Sequence, residues 1–323
     1  MENNNMDNNE KTPETRRYNW NKIAVILILA GVALFAIGRL SGARGGGISF
    51  SGWRFHVHNE STQFENSFTP LPARLENISV RTTSISVIIQ TAPAGETPGI
   101  HLVNVNPESL EAGDGITIDT RRAERTGWSI WLFNWNFTAA RREIRIYLPA
   151  NAELNEVSVR STSGSVQIDG LSAENITTDS TSGSLRLNNL QAQTLYARAV
   201  SGSIRGENIN ISSGEINSTS GSISFGEITW NTLDARSTSG SVRFSDARIQ
   251  DAATGRTSLR STSGSVHLEL REPAAYFSYN MSTTSGTARV NGNNRGRGTS
   301  TGGTGAHEIT LRTTSGSVRL DFE

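Results

Sequence analysis

Apolar and polar residues alternate through most of the chain, in short runs arranged around a recurring Ser-Gly-Ser or Ser-Gly-Thr triplet. The glycine of this triplet stands at positions 164, 183, 202, 221, 240, 264, 286 and 316. The first four intervals are 19 residues each, and the later ones are 24, 22 and 30. Recurrence at such intervals over half of a chain is typical of a stacked repeat architecture.

Within each repeat the apolar positions have a period of two, which predicts strands and not helices. Around Gly164 they are Val157 and Val159 before the glycine and Val166 and Ile168 after it. The inward-facing residues therefore lie an odd number of positions before the glycine and an even number after it. A straight strand cannot change face in this way, so the chain must bend at the glycine. Glycine is expected at such a bend because it adopts torsions that other residues avoid. Each repeat is predicted to contain two short strands that meet at a glycine corner, and a further inward-facing apolar residue seven positions after the glycine.

A single repeat cannot bury its own apolar face, whereas stacked repeats can, with equivalent side chains about 4.8 Å apart. The fold class predicted is all-β: a parallel β-solenoid of about nine coils. The Ser and Thr residues three and one positions before the glycine are predicted to point inward and to form a hydroxyl ladder. An earlier, degenerate unit has Ile85 in the glycine position, so its corner is expected to be made differently. Strands are also predicted at 116–118 and 144–148.

An apolar segment near the start of the chain predicts a membrane anchor. Residues 23–40 are apolar apart from Arg39, and a helix of this length reaches roughly 27 Å, close to the hydrocarbon thickness of a bilayer. Basic residues are slightly more frequent before the segment, which predicts a single-pass protein of the cytoplasmic membrane with its N-terminus inside and its C-terminal domain outside. A cleaved signal peptide ending near 41–43 is the alternative interpretation.

The predicted domain organisation follows from these patterns. The four parts are a disordered cytoplasmic tail at 1–22, a transmembrane helix at 23–40, a linker at 41–70 and the β-solenoid domain at 71–323, with a flexible Gly-rich loop at 291–305. The chain has no cysteine, which excludes disulfides and thiolate metal sites. Its formal net charge is zero, so there is no general attraction to nucleic acid.

The repeats resemble a known family. Ser-Thr-Ser-Gly-Ser-Val units, preceded by Ile-Tyr-Leu-Pro and then Val157-Ser-Val159, are similar to the bacterial "putative adhesin" domains of unknown function. The resemblance covers roughly residues 75–323. It implies a β-solenoid-like protein of the cell envelope, often tethered to the membrane and often associated with envelope-stress systems. It implies no catalytic residues.

Two groups of residues are candidate binding surfaces. The first is an aromatic run, which as a strand could stack on sugars, enter a membrane interface or meet a protein, or else pack against the solenoid. Its members are Trp128, Trp131, Phe133, Trp135 and Phe137. The second is a stripe of arginines four positions before the glycines, suited to a polyanion or else an ordinary solvated face. Its members are Arg160, Arg198, Arg236, Arg260 and Arg312. Asp179 and Asn217 interrupt this stripe and are expected to relieve repulsion between like charges.

No catalytic or cofactor motif is found. His56 and His58 are two ligands without a third, so no metal site is predicted, and the serines lack a nucleophile-elbow motif. The first hypothesis is a non-enzymatic envelope protein that displays the solenoid for adhesion or structural interaction, with a cell-wall polymer, glycan or envelope protein as partner. The alternative is an envelope-stress sensor or regulatory partner, and the third is a glycan-active β-helix enzyme. An uncovered solenoid end also predicts end-to-end self-association.

Overall fold

This computed structural model describes residues 47–51, 54–58, 64–123, 128–130, 141–251 and 253–323. The predicted tail at 1–22 and transmembrane helix at 23–40 lie outside these residues. No helix within the described ranges is long and apolar enough to cross a membrane. The chain divides into two compact units, Met1–Thr62 with Trp128–Phe137, and Gln63–Gly127 with Thr138–Glu323.

The first unit contains a three-stranded antiparallel sheet. Its strands are β1 (Gly47–Ser51), β2 (Arg54–His58) and β9 (Trp128–Ile130), in the order β2-β1-β9. The prediction of a linker at 41–70 is therefore wrong for β1 and β2, and also for β3 (Ser67–Pro70), the first strand of the second unit. The overlooked signal is the alternation of apolar and polar residues in Gly47–Ser51 and Arg54–His58, which is typical of strands.

The second unit is almost entirely β. Its strands are β3 (Ser67–Pro70), β4 (Asn77–Thr82), β5 (Ser86–Thr91), β6 (Gly99–Val103), β7 (Leu110–Ala112), β8 (Gly115–Asp119), β10 (Glu143–Leu148), β11 (Glu153–Ser161), β12 (Val166–Ser180), β13 (Leu185–Ala199), β14 (Ile204–Ser218), β15 (Ile223–Trp230), β16 (Thr232–Ser237), β17 (Val242–Ile249), β18 (Arg256–Ser261), β19 (Val266–Leu270), β20 (Phe277–Val290), β21 (Asn293–Gly302), β22 (His307–Thr313) and β23 (Val318–Phe322). One helical turn, Thr120–Ala123, and two 3₁₀ turns, Pro107–Ser109 and Ala274–Tyr276, complete the described elements.

The strands form a closed, mainly parallel, solenoid-like sheet, as the repeat predicts. β12 pairs with β13 and β13 with β14 in parallel, with residues 19 apart in register. Each regular coil presents three inward faces, each contributing alternate buried side chains. In one coil these side chains are Leu185 and Leu187, then Leu190 and Ala192, then Leu195 and Ala197. The buried position nine after the glycine, occupied by Ala192 here and by Trp230 two coils later, was not predicted.

Glycine recurs at the Ser-Gly-Ser corner because there is no space for a side chain. A Cβ atom on Gly183 would lie 2.0 Å from the backbone oxygen of Gly164, and one on Gly202 would lie 2.0 Å from that of Gly183. Neither glycine has a positive φ. The expected reason, unusual torsions, is therefore wrong at this corner, and close backbone approach between coils is the physical cause.

At several of these corners a buried hydroxyl three positions before the glycine adds hydrogen bonds to the backbone. Ser237 Oγ accepts a hydrogen bond from the Gly240 N–H at 2.9 Å and donates one to the Gly221 oxygen of the neighbouring coil at 3.1 Å. The predicted ladder therefore connects hydroxyls to the backbone, not to each other. The serines one position before the glycine, such as Ser239, are exposed and not inward-facing as predicted.

The degenerate first coil makes the same corner with a different residue. Ile85, in the glycine position, is 3% exposed. Its N–H donates to Thr82 Oγ1 at 3.0 Å, and this hydroxyl lies 3.2 Å from the Ile85 oxygen. The expectation of a differently made corner is therefore wrong. The neighbouring strand β8 leads into a helical turn instead of a glycine corner.

The irregular region before residue 157 extends the sheet beyond the repeats. β8 pairs in parallel with β4, and β10 in parallel with β5, which confirms the strands predicted at 116–118 and 144–148. The pairs β3–β6, β6–β10 and β7–β8 are antiparallel, so this part of the sheet is mixed.

The coils at the C-terminal end do not stack in chain order. β22 and β23 pair with β18 and β19 on one side and with β20 on the other. The final coil of the sequence, β22 and β23, thus lies between the coil of β18 and β19 and the coil formed by β20. β21 then pairs antiparallel with β20 at the outer side. The prediction of a flexible loop at 291–305 is therefore wrong for Asn293–Gly302, which completes this end. End-to-end self-association stays a prediction, but β23 is not the exposed edge on which it was based.

Candidate functional site

The predicted arginine stripe is brought into one row by the parallel register. Arg160, Arg198, Arg236, Arg260 and Arg312 are all exposed. Their in-register order across the coils is Arg81, Arg160, Asp179, Arg198, Asn217, Arg236, Arg260, Arg312 and Ser282. Arg81, contributed by the degenerate coil, was not among the predicted members.

The inserted final coil changes the composition of this row. In chain order, Ser282 would separate Arg260 from Arg312. In the structure Arg312 pairs directly with Arg260, and Ser282 lies beyond it. Three arginines, Arg236, Arg260 and Arg312, therefore occupy consecutive coils about 4.8 Å apart. This contiguous group could not be found from the order of the repeats.

The arginines border a groove of about 730 Å³ that crosses six coils. Buried hydroxyls of the glycine corners, such as Ser237 and Ser261, lie along it, and exposed threonines two positions before the glycines form the opposite side. The residues lining it are Tyr196, Arg198, Asn217, Ser218, Thr219, Arg236, Ser237, Thr238, Arg260, Ser261, Thr262, Ser282, Thr284, Arg312, Thr313 and Thr314. The lining has four guanidinium groups, a row of hydroxyls and no carboxylate.

Only part of this positive charge is compensated. Arg236 Nε donates to Asp234 Oδ1 at 3.0 Å, and this hydrogen bond is the main cause that raises the pKa of the Arg236 guanidinium. Glu215 accepts from Asn217 Nδ2 at 2.8 Å. Arg260 and Arg312 have no ion pair within the described residues. Like charges opposite each other in a sheet are destabilising, so an anion bound here would remove an unfavourable interaction.

A second basic row lies three positions after the glycines, outside the groove. Here His267 separates Arg243 from Arg319. Asp321 lies 3.0 Å from His267 Nε2 and also accepts from Arg319 Nε. One carboxylate thus contacts two neighbouring members of the second row at its C-terminal part. Arg186 and Arg205 are adjacent in this row and unpaired within the described residues.

The aromatic run falls mostly outside the described residues. Trp131, Phe133, Trp135 and Phe137 are not described, and only the backbone of Trp128 is, opposite Phe50 in the first unit. Its role as a binding surface stays a prediction. The strand β2 carries His56 and His58. Among the described residues, no group of three or more His, Asp or Glu side chains is arranged to hold a metal ion.

One histidine of the second unit lies beside a hydroxyl, but neither group is accessible. His307 Nε2 is 2.9 Å from Thr257 Oγ1, which also accepts from Trp230 Nε1 at 2.8 Å. The threonine hydroxyl thus links the indole, which can only donate, to the imidazole. All three side chains are 0% exposed, and burial lowers the pKa of His307. The cluster joins coils in the core and has no surface at which a substrate could react.

The fold and the groove together define a solenoid-like all-β protein with a polar, basic groove along its coils. Residues 75–321 match the model of the Toastrack DUF4097 family. Because this match spans most of the chain, the protein belongs to that family. The match agrees with the resemblance seen in the repeats.

Two solved structures show distant similarity to this chain. One is titled a putative cell adhesion protein from Clostridium sporogenes, with 9% identity and a TM-score of 0.25, covering 80% of this chain and 98% of the other. Another is titled a putative adhesin from Bacteroides fragilis, with 14% identity and a TM-score of 0.38, covering 81% and 98%. No curated protein matches the chain. At these values neither structure bears on the function.

Proposed function

We propose that this protein is a non-enzymatic recognition module of the cell envelope, which displays a β-solenoid outside the cytoplasmic membrane for adhesion or structural interaction. The observation that carries the proposal is the groove, which is open, polar and spread over six coils. Such a surface is suited to an extended ligand held by many weak contacts. It is unlike an active site, where a few groups converge on one reacting atom.

The stacked coils support a role in display. Eight successive steps join the nine corners from Ile85 to Gly286, which corresponds to roughly 40 Å at the spacing of β-strands. Backbone hydrogen bonds link each corner to the next, for example from Ser201 N to the Thr181 oxygen at 2.8 Å. A scaffold of this kind keeps its surface groups at fixed spacing, which favours a repetitive partner.

Binding to isolated bacterial cell walls tests the recognition role. The full chain, in a nonionic detergent, is incubated with sacculi, and both cosedimentation and release of soluble sugars are measured. We expect binding without sugar release. Sugar release would favour the glycan-active enzyme instead. Absence of binding to any envelope fraction would overturn the proposal and favour a regulatory protein partner.

A double variant, Trp131→Ala with Trp135→Ala, locates the surface responsible. If the groove is the binding surface, this variant binds like the unchanged chain. Loss of binding in the variant, with unchanged circular dichroism, would assign recognition to the aromatic run. The proposal of a recognition module would then stand, but the groove would not be its site.

The proposed location rests on the apolar segment at 23–40 and can be tested separately. Because the chain has no cysteine, single variants Asn5→Cys and Thr301→Cys can be labelled with a membrane-impermeant maleimide. In cells where the maleimide can reach the outer side of the cytoplasmic membrane, we expect labelling of Thr301→Cys. We expect labelling of Asn5→Cys only after lysis. Equal protection of both sites in intact cells would contradict an extracytoplasmic solenoid.

A further inference from the structure

We infer that the groove is a binding site for a linear polymer with repeating phosphodiester or phosphate groups. This inference rests on the proposed function and specifies its ligand. Arg236, Arg260 and Arg312 stand in consecutive coils, and two of them have no ion pair within the described residues. The planar guanidinium donates paired hydrogen bonds to phosphate oxygens, which makes arginine the side chain best suited to this group.

The hydroxyls of the groove fit the same ligand. Thr219, Thr238, Thr262 and Thr314 form an exposed row in successive coils, opposite the arginines. Each hydroxyl can donate to a phosphate oxygen that the guanidinium leaves free. Since the lining has no carboxylate, no group in it would repel an anion. The groove thus offers one cation and one donor per coil over three consecutive coils.

The ligand is expected to be extended and without aromatic bases. The groove crosses six coils, from Arg198 to Ser282, which is roughly 24 Å at the usual strand spacing. Tyr196 is the one aromatic side chain that lines it. Proteins that hold single-stranded nucleic acid without sequence preference use several aromatic side chains for stacking. The chemistry of this groove therefore favours a polyphosphate or poly(glycerol phosphate) chain over RNA or DNA.

The outer end of the groove continues onto the end strand. A second recess of about 480 Å³ is lined by Ser282, Thr283 and Thr284 together with Arg297, Gly298 and Thr299 of β21. Arg297 adds a further cation beyond Ser282, where the row of arginines ends. The Gly-rich segment thus extends the basic track past the last coil, a role that its loop-like composition does not indicate.

The test uses the full chain in a nonionic detergent, with fluorescent inorganic polyphosphate as probe and poly(glycerol phosphate) as competitor. The variant is Arg260→Gln with Arg312→Gln. Because two charge-assisted contacts to the polymer are removed, we expect affinity to fall by roughly 100-fold. The slope of log K against log salt should also decrease in magnitude by about two, since two ionic contacts are removed.

The matched control is Arg186→Gln with Arg205→Gln, which removes two adjacent arginines from the second row. It causes the same loss of net charge outside the groove, and we expect less than about a twofold change in affinity. Equal weakening by both variants would show attraction to a basic surface and overturn a groove site. An unchanged affinity in the groove variant would do the same.

A second variant keeps every charge and tests the opposite side of the groove. Thr238→Val with Thr262→Val has nearly the same shape but lacks two hydroxyl donors, and we expect roughly a tenfold loss of affinity. Competition by a single-stranded oligonucleotide stronger than that by poly(glycerol phosphate) would overturn the choice of ligand. If the chain binds cell walls but not polyphosphate, the phosphate site is wrong while the proposed recognition role stands.

Discussion

Two of the corners at which each regular coil turns differ in what they require of the chain. At the Ser-Gly-Ser corner a Cβ atom on Gly202 would lie 2.0 Å from the oxygen of Gly183, although the φ of Gly202 is not positive. At the second corner, six residues after each glycine, φ is positive and side chains are tolerated. Its occupants are Gly170, Asn189, Asn208, Glu227 and Asp246. The first corner therefore has no room for a Cβ atom, whereas the second requires a left-handed backbone conformation.

The difference explains why one corner is recognisable in the sequence and the other is not. Lack of space admits only glycine in these coils, so Ser-Gly-Ser recurs almost unchanged. A left-handed backbone is most readily adopted by glycine and asparagine but is also occupied by other residues at a cost. The invariant corner borders the groove, since Ser237 and Thr238 before Gly240 both line it. The spacing of the groove residues thus follows from close contact between glycines.

The largest expected effect is that of adding a methyl group at the first corner. Gly202→Ala would place the Cβ against the oxygen and carbon of Gly183 and the nitrogen of Ser184. These are backbone atoms, which cannot move away as a flexible side chain can, so the coils must separate. We expect a loss of more than about 3 kcal/mol in the free energy of unfolding, measured by urea denaturation in a nonionic detergent.

Gly226→Ala is the matched control for this prediction. Gly226 lies in β15 with an ordinary φ, and the nearest atom to its added Cβ would be Ser245 Oγ at 4.0 Å. Because alanine restricts the unfolded chain more than glycine does, we expect a small stabilisation of about 0.4–1 kcal/mol. Similar destabilisation in both variants would mean that close approach between the coils is not the reason why glycine occupies this corner.

A smaller effect is expected from removing the hydroxyl that connects two corners. Ser237→Ala leaves the Gly240 N–H and the Gly221 oxygen without their partner in a buried position. We expect a loss of about 1–3 kcal/mol. Ser237→Thr is the control, because Thr313 Oγ1 donates in the same way to the Gly264 oxygen at 2.7 Å. If the alanine and threonine variants unfold at the same urea concentration, the hydroxyl bridge contributes nothing.

The local fold was predictable from the sequence because each repeat carries its own pattern. The alternation around Gly164 identified Val157, Val159, Val166 and Ile168 as core residues, and all four are at most 1% exposed. The parallel pairing followed from the need to stack such units. The position nine after the glycine was missed because it holds residues as different as Ala173 and Trp230, which form no visible pattern.

The order of the last coils could not be predicted, because equivalent repeats do not specify which neighbour each will contact. The last coils all offer apolar residues at the equivalent inward positions beside the same glycine corner, so either order satisfies the local pattern. The pairing of Arg260 with Arg312 depends on that order. The arginine residues of the candidate site were therefore predictable, while their contiguity and the groove itself required the three-dimensional structure.

At the second corner, replacing a side chain by glycine is expected to stabilise the protein. Glu227 is held at φ 49°, a conformation that costs a non-glycine residue roughly 1–2 kcal/mol. Glu227→Gly relieves this strain but increases the entropy of the unfolded chain, so we expect a net gain of about 0.5–1 kcal/mol. Arg248→Gly, at an exposed strand position with ordinary φ, should instead be destabilising. A destabilised Glu227→Gly variant would show that φ does not limit this corner.

The smallest expected effect separates backbone conformation from side-chain contacts at the same corner. Asn208 Nδ2 donates to Asn189 Oδ1 at 2.8 Å, and Asn189 Nδ2 donates in turn to Asp169 Oδ1 at 2.8 Å. Asn208→Asp removes one donor of this exposed ladder but keeps a residue that tolerates positive φ. We expect a loss of about 0.5 kcal/mol.

Asn208→Ala removes the same hydrogen bond and also places a residue with a poor left-handed preference at φ 54°. It should therefore cost about 1 kcal/mol more than Asn208→Asp. Both variants are compared by urea unfolding under identical conditions. Equal losses would assign the asparagines to the ladder instead of the backbone, and the second corner would then resemble the first, where contacts between coils select the residue.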